Sequence, residues 1–92
     1  MGLEALRERL DALDDQILAL LAERAKIVVQ VANFKRQHSL PIHIPAREAS
    51  IVARLRALNP GPLSDDAVEH IYRAVIGEMR EFEREHVACD SE

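Results

Sequence analysis

The sequence predicts an all-α domain of three helices, the first of them very long, that forms an intertwined homodimer. The composition predicts the helices, because Leu, Ala, Glu and Arg dominate and the aromatic content is only 3%, which favours helices over strands. Helix-breaking residues set their number: Pro41, Pro45 and the stretch Asn59-Pro60-Gly61-Pro62 leave three segments with no interior proline. These segments cover roughly residues 3–38, 46–58 and 64–87.

The first segment carries a single apolar seam and predicts the dimer. Its members recur at alternating steps of three and four, the spacing of one helix face. They are Leu3, Leu6, Leu10, Leu13, Ile17, Leu20, Ile27, Val31 and Phe34. About 35 helical residues make a rod roughly 50 Å long, whereas a compact monomer of this size is about 30 Å across. Since the shorter segments cannot cover the rod, we expect the seam to pack against a second copy of the chain.

The two shorter segments each have a recognisable beginning and an apolar side. Pro45 suits the first turn of the second helix. Ser64 is the expected N-cap of the third helix, where Asp65 and Asp66 face the positive helix end. The inward residues of the second helix are Ile51, Val52, Leu55 and Leu58. The buried stripe of the third comprises Val68, Ile71, Tyr72, Val75, Met79 and Phe82.

Size and charge restrict the classes of protein that remain. The 92 residues allow one domain, residues 1–92, whose core is marginal alone, and the lone cysteine, Cys89, offers no disulfide. A net charge of −4 argues against nucleic acid as a partner. The sequence has neither the apolar core of a signal peptide nor a membrane-spanning run, so we expect a soluble cytoplasmic protein. His38, His43, His86 and Cys89 do not form a convergent set of metal ligands.

A charge interrupts the apolar seam and indicates a binding site. Four residues after Leu20 the seam reaches Arg24, and a buried charge is costly unless it meets an opposite one. Lys35 follows eleven residues later, close to three full turns, and therefore lies on the same face. Val28 and Val31 lie between the two cations. The pattern predicts an apolar-floored site with a cation at each end, which suits an anionic ligand.

Arg7 cannot join that site within one chain. It precedes Arg24 by seventeen residues, about 25 Å along a helix. In an antiparallel dimer of long helices, Arg7 of one chain could complete the site of the other. The alternative for each of these cations is an ordinary solvated side chain or one paired with an acid one turn away, and periodicity alone leaves both interpretations open.

Four stretches of the sequence, taken in order, resemble one enzyme family. They are residues 6–14 (LRERLDALD), residues 17–24 (ILALLAER), Phe34-Lys35, and Pro45-Ala46-Arg47-Glu48 at the start of the second helix. In this order and spacing they resemble the AroQ class of chorismate mutases, which includes the N-terminal domains of bifunctional prephenate dehydratases. The resemblance covers nearly the whole chain. It implies a three-helix homodimer with two sites, each built from both chains, that rearranges the dicarboxylate chorismate to prephenate without cofactor or metal.

The resemblance also implies a role for each site residue. Arg7 of the partner would bind one substrate carboxylate and Arg24 the other. Lys35 would contact a carboxylate and the ether oxygen whose bond breaks. Arg47 would assist binding, and Glu48 would accept from the ring hydroxyl.

Three further positions concern the third helix and the loop. Glu83 lies where the family has Gln or Glu facing the ether oxygen, and a carboxyl must be protonated to donate there. Ile44 and Met79 depart from the family, which often has polar or small residues at these positions, so both would alter the wall of the pocket.

Other functions fit the same sequence. An isochorismate pyruvate lyase or an aminodeoxychorismate mutase would use the same scaffold and similar cations, and retention of Arg47 with Glu48 favours the mutase. A non-catalytic helical dimerisation or regulatory module would explain the seam and its length, but not the presence of Arg24 and Lys35 on one face.

Overall fold

The structure, a computed structural model, describes the backbone of residues 2–90 and the side chains of residues 2–86. It consists of three helices, α1 (Leu3–Gln37), α2 (Pro45–Leu58) and α3 (Asp65–Asp90), with no strand in the described part of the chain. The predicted all-α fold with a very long first helix is confirmed. Helix α3 continues three residues beyond the expected end at residue 87. Cys89 belongs to α3, and its side chain lies outside the described residues.

The single chain is elongated because α1 is longer than the rest of the fold. Its principal extents are 55 × 27 × 14 Å and its radius of gyration is 16.4 Å, against about 12 Å for a compact domain of this length. Helix α3 packs against both α1 and α2. The side chains of residues 6–20 are all exposed, so the N-terminal half of α1 extends beyond the other helices. No helix within the described residues combines the length and apolarity needed to cross a membrane.

The core lies between α2 and α3 and is small. Ile51, Val52 and Ile76 are buried, with Leu55 and Tyr72 packed against them. Because so few apolar side chains are buried, the single chain leaves much of its apolar surface in water.

Two residues expected in the core are exposed in the single chain. Leu58 is 63% exposed and Ile71 is 55% exposed. Leu58 is the last residue of α2, at the end of the helix. The inward side of α3 carries Ile76 and Glu83, and Tyr72 packs against the core. Ile71 lies about 100° around the helix from Tyr72, so its side chain points away from that side. The expectation that Leu58 and Ile71 are buried is therefore wrong for the single chain.

The end of α1 turns the chain back towards its own last turns. Ser39 has a positive φ of 55°. The amide of Leu40 donates to the carbonyl of Lys35 at 2.8 Å, and the amide of Ser39 donates to that of Arg36 at 3.3 Å. This pair of bonds is the Schellman pattern that closes a helix C-terminus. The turn returns the following loop to Lys35, whose Nζ donates to the carbonyl of Ile42 at 2.7 Å.

Ion pairs add to the packing of α2 against α3. Arg56 contacts Asp66 and Glu69 at 2.9 Å each, and Arg73 donates to Glu69 at 2.8 Å. The hydrogen bond from Arg73, together with that from Arg56, holds the pKa of Glu69 below its ordinary value. A lowered carboxyl pKa contributes stability that is complete above the unfolded pKa and is lost as the pH falls through the folded one. The contribution is modest, because exposed ion pairs are screened by water.

The turn between α2 and α3 is organised by Asn59. Its Nδ2 donates to the carbonyl of Leu63 and to Oδ1 of Asp65, both at 2.8 Å. Its Oδ1 accepts from the amide of Gly61 at 3.0 Å. Ser64 caps α3, since its Oγ accepts from the amide at residue 67 at 3.0 Å. The expected N-cap is therefore present, and Asn59 fixes the approach to it.

Replacement of Asn59 by Ala removes all three of these hydrogen bonds. We expect Asn59→Ala to lower the free energy of unfolding by about 1.5–4.5 kcal/mol, because three bonds are lost and each net bond contributes about 0.5–1.5 kcal/mol. Urea unfolding at a fixed protein concentration measures this difference. The control is Ser50→Ala, which removes one exposed bond inside α2, from Oγ to the carbonyl of Arg47. Equal losses for the two variants would contradict this account of the turn.

Candidate active site

All three helices and the loop after α1 line one cavity of about 290 Å³. Its charged lining residues are Arg24, Lys35, Arg47, Glu48, Arg80 and Glu83. Its apolar lining residues are Ile27, Val28, Val31, Ile42, Ile44, Ile51, Ile76 and Met79. Seven of the eight residues that the sequence predicts for a site therefore line this cavity, and Arg7 is the exception.

The charges around the cavity favour an anion. Four cationic and two acidic side chains line it, a formal excess of two positive charges. The whole chain, in contrast, carries a net charge of −4. An acidic protein that gathers cations over an apolar floor provides a local site for a small molecule with about two negative charges. Within the described residues, no group of three or more His, Cys, Asp or Glu side chains is placed to hold a metal ion.

Lys35 is a largely enclosed cation of the cavity. Its side chain is 13% exposed and that of Glu83 is 8% exposed, with Nζ 2.9 Å from Oε2. The two groups form an ion pair, but their orientation does not make a hydrogen bond. The buried Oε2 of Glu83 therefore has no hydrogen-bond partner among the described residues. An ammonium has three N–H donors, and the carbonyl of Ile42 engages one of them. Lys35 and Glu83 thus present a largely enclosed donor and a buried carboxyl side by side at the cavity.

Arg24 is oriented by an aromatic residue. Its Nε donates to the hydroxyl of Tyr72 at 3.2 Å, and its guanidinium carbon lies 5.7 Å from the centre of the Tyr72 ring. Among the residues that the structure describes, no acidic side chain pairs with Arg24. Because Arg24 contacts Tyr72 through Nε, its two terminal nitrogens remain available to a ligand. Two such nitrogens can donate parallel hydrogen bonds to the two oxygens of a carboxylate.

Glu48 is held between two basic side chains. Nη1 of Arg80 donates to both of its oxygens, at 2.9 Å to Oε1 and 2.8 Å to Oε2. Nε2 of His43 lies 3.5 Å from Oε1. The ion pair with Arg80 is largely enclosed, with 27% of the Arg80 side chain and 18% of the Glu48 side chain exposed.

The remaining predicted residues lie at the rim, on the wall or outside the cavity. Arg47 is exposed at the rim, and Ile44 and Met79 are half-buried in the wall. The side chain of Arg7 is 61% exposed and pairs with Glu4 at 3.2 Å. Arg7 therefore does not reach the cavity of its own chain. This agrees with its expected separation of about 25 Å from Arg24 along α1.

Sequence reasoning missed Arg80 and His43. The spacing of Arg80 could have revealed it, because it follows Ile76 by four residues and precedes Glu83 by three, which places all three on one face of α3. Its position among several charged residues in α3 hid that signal. The approach of His43 depends on the loop after α1, whose path the sequence does not specify.

Comparisons with known proteins agree on one family. The sequence model described as chorismate mutase type II matches residues 6–84. A bifunctional chorismate mutase/prephenate dehydratase from Aquifex aeolicus is 37% identical over 86 residues, covering 89% of this chain and 24% of the relative. The chorismate mutase of Methanocaldococcus jannaschii is 41% identical over 56 residues, covering 61% of this chain and 57% of that protein. The chain thus spans about a quarter of the length of the bifunctional relative.

Solved structures of similar length share the fold. The form II structure of chorismate mutase from Thermus thermophilus has a TM-score of 0.86 and 31% identity, covering 88% of this chain and 92% of that one. The chorismate mutase of Helicobacter pylori, solved in complex with prephenate, has a TM-score of 0.86 and 31% identity. That match covers 94% of this chain and 93% of the H. pylori chain.

Proposed function

The chain belongs to the chorismate mutase type II family, and on that premise we propose that it rearranges chorismate to prephenate. The observation that carries this proposal is the excess of two positive charges around an apolar-floored cavity of about 290 Å³. Chorismate is a dicarboxylate, so its charge matches that excess. Its carbon ring suits a cavity in which Ile and Val side chains form much of the wall.

The reaction itself suits a site of fixed charges. A [3,3] rearrangement is unimolecular and needs no nucleophile, metal or cofactor. The enzyme holds a compact reactive conformer and stabilises the negative charge that develops on the ether oxygen. A rate enhancement of about 10⁶-fold corresponds to about 8 kcal/mol. Cations already held in place around an apolar-floored cavity supply such stabilisation without reorganising during the reaction.

The contacts of three residues support specific roles in this proposal. Arg24, oriented by Tyr72, binds one carboxylate of the substrate through its terminal nitrogens. Lys35 donates to a carboxylate and to the ether oxygen. Glu83 faces the same oxygen, and its buried Oε2 has no hydrogen-bond partner among the described residues. The substrate's ether oxygen would supply the missing partner once the carboxyl is protonated.

The remaining residues serve binding in this proposal. Arg47 assists at the rim, Glu48 accepts from the ring hydroxyl, and Ile44 and Met79 form apolar walls. Arg7 reaches the second carboxylate from the partner chain.

The proposed homodimer is supported by the surface of α1. Every member of its apolar seam is at least 41% exposed in the single chain. The seam residues are Leu3, Leu6, Leu10, Leu13, Ile17, Leu20, Ile27, Val31 and Phe34. An exposed apolar surface of this length marks an interface, and a second copy with its α1 antiparallel covers it by symmetry. The same arrangement carries Arg7 towards the cavity of the partner.

Product analysis tests this function. Purified protein is incubated with chorismate and, separately, with isochorismate, and the products are identified by chromatography and mass spectrometry. We expect prephenate from chorismate, formed without added metal or cofactor. Salicylate and pyruvate from isochorismate, with chorismate unchanged, would instead identify a lyase on the same scaffold. If neither substrate is converted, the remaining functions are an enzyme for an amino-substituted substrate and a non-catalytic module.

The role of Glu83 predicts that the group at this position must be able to donate a hydrogen bond. A protonated carboxyl and an amide can both donate to the ether oxygen, whereas a thioether side chain cannot. We therefore expect Glu83→Gln to retain activity and Glu83→Met to lower kcat about 10²- to 10³-fold, measured as initial rates of chorismate loss. Equal losses in the two variants would contradict this role.

A further inference from the structure

The ion pair between Arg80 and Glu48 joins two walls of the cavity. Arg80 extends from α3 to α2 and contacts both carboxylate oxygens through one nitrogen. Rotation of the carboxylate about its last bond would break one of the two hydrogen bonds. A glutamate side chain without such a contact has several rotamers available, and ordering it costs conformational entropy. Arg80 removes most of that freedom before any ligand arrives.

Glu48 keeps an acceptor site open despite these contacts. A carboxylate has about four lone-pair sites, two on each oxygen. Arg80 uses one on each oxygen, and His43 lies 3.5 Å from Oε1. Oε2 therefore retains acceptor capacity for a hydroxyl. Arg80 also offsets the negative charge of Glu48, which would otherwise reduce the positive excess that attracts a dicarboxylate.

We propose that Arg80 is a positioning residue that holds the Glu48 carboxylate in the orientation that accepts the ring hydroxyl of the substrate. This inference rests on the proposed function, because it presumes a substrate with such a hydroxyl. It adds to the site a residue that does not itself contact the reacting atoms. Arg80 acts on the reaction only through Glu48.

The kinetic signature of this role differs from that of damage to the fold. The ring hydroxyl does not change charge during the rearrangement, so its hydrogen bond to Glu48 is about equally strong in the ground state and the transition state. Loss of such uniform binding raises KM and leaves kcat nearly unchanged. A purely structural role for Arg80 would reduce the fraction of folded enzyme, which lowers kcat and leaves KM unchanged.

The test uses Arg80→Met in the intact chain and in a Glu48→Gln background. We expect Arg80→Met to raise KM about 10- to 100-fold, the usual effect of losing a hydrogen bond to a charged group. Arg80→Lys keeps a cation with three donors and should restore KM to within about threefold of the unsubstituted protein. In the Glu48→Gln background, Arg80→Met should change KM by less than about twofold, since coupled residues are not additive.

Arg84→Met is the matched control. Arg84 lies one turn further along α3, and its ion pair with Glu81 is exposed and outside the cavity. We expect Arg84→Met to leave KM unchanged. Equal effects of Arg80→Met in the two backgrounds would overturn the proposal, because Arg80 would then contact the substrate itself. A loss of kcat with KM unchanged would overturn it in favour of a structural role.

Thermal unfolding of the same variants separates this inference from the proposed function. The ion pair predicts that the changes in Tm caused by Arg80→Met and Glu48→Gln are not additive in the double variant. Additive changes would show that the two side chains do not interact, which overturns the inference whatever the substrate. Non-additive changes, in a protein that converts no chorismate, would refute the proposed function and the hydroxyl-positioning role together while leaving the ion pair itself supported.

Discussion

Replacement of Lys35 by Met is expected to lower kcat about 10²- to 10³-fold, the usual cost of removing one preorganised donor from a developing oxyanion. In the proposed reaction the ether oxygen gains negative charge only in the transition state. The lost contact is therefore made mainly in that state, so KM should change much less than kcat. Initial rates of chorismate loss at saturating and limiting substrate concentrations separate the two constants.

The same substitution also affects stability, and the two effects can be separated. Lys35→Met leaves Glu83 buried beside an apolar side chain, and removing one partner of a buried ion pair costs about 3–5 kcal/mol. Adding Glu83→Gln to the Lys35→Met variant removes the carboxylate that has lost its partner. We expect the double variant to regain much of the stability, measured by urea unfolding, while its kcat stays far below that of Glu83→Gln alone. A double variant as active as Glu83→Gln alone would contradict a catalytic role for Lys35.

Lys26→Met supplies the control for charge removal on α1. The Lys26 side chain is 75% exposed and pairs only loosely with Glu23, at 3.9 Å. Its replacement should leave kcat, KM and Tm unchanged. A loss of activity for Lys26→Met as large as that for Lys35→Met would mean that activity depends on the overall charge of α1 rather than on the cavity.

Replacement of Arg7 by Ala is expected to lower kcat/KM about 10- to 100-fold, the usual effect of losing a charged hydrogen bond to a carboxylate. In the single chain Arg7 is 61% exposed and, within the part of the chain that the structure describes, pairs only with Glu4. An exposed residue of that kind contributes almost nothing to stability, so a monomer with all of its site residues in one chain predicts no effect. A large loss of kcat/KM with unchanged Tm would be hard to explain without a partner chain.

Arg54→Ala serves as the control for Arg7. Arg54 is an exposed arginine of α2 that does not line the cavity, and its loss should leave kcat/KM unchanged. If Arg7→Ala were as active as Arg54→Ala, the proposal that each cavity receives Arg7 from the partner would be wrong.

Much of the fold could be predicted because its determinants are local. Prolines and a capped helix start divide the chain, and the seam of α1 follows directly from helical periodicity. Arg24 and Lys35 could be placed on one face for the same reason, since both belong to one uninterrupted helix. The arithmetic of 1.5 Å per residue also separated Arg7 from them.

The features that were missed depend on contacts between helices. Helical spacing gives the face of a residue relative to its own helix, but not which neighbour that face meets. Ile71 and Leu58 were assigned to the core, although both are more than half exposed in the single chain. The contact of Arg24 with Tyr72 and that of Arg80 with Glu48 join residues 48 and 32 positions apart. Such pairs become visible only when the packing of α3 against α1 and α2 is known.

Mixing two impaired variants tests most directly the claim that each active site is assembled from two copies of the chain. Arg7→Ala and Lys35→Met proteins are unfolded together in urea and refolded as an equal mixture. A dimer with one chain of each kind has one site with both residues intact and one site that lacks both.

Random pairing makes half of the dimers mixed, so about a quarter of the activity of the unsubstituted protein should return. The two variants refolded separately and then combined provide the baseline. Recovery to about that level is the result the shared site predicts. Activity that stays at the baseline, in a mixture shown by native mass spectrometry to contain mixed dimers, would contradict it.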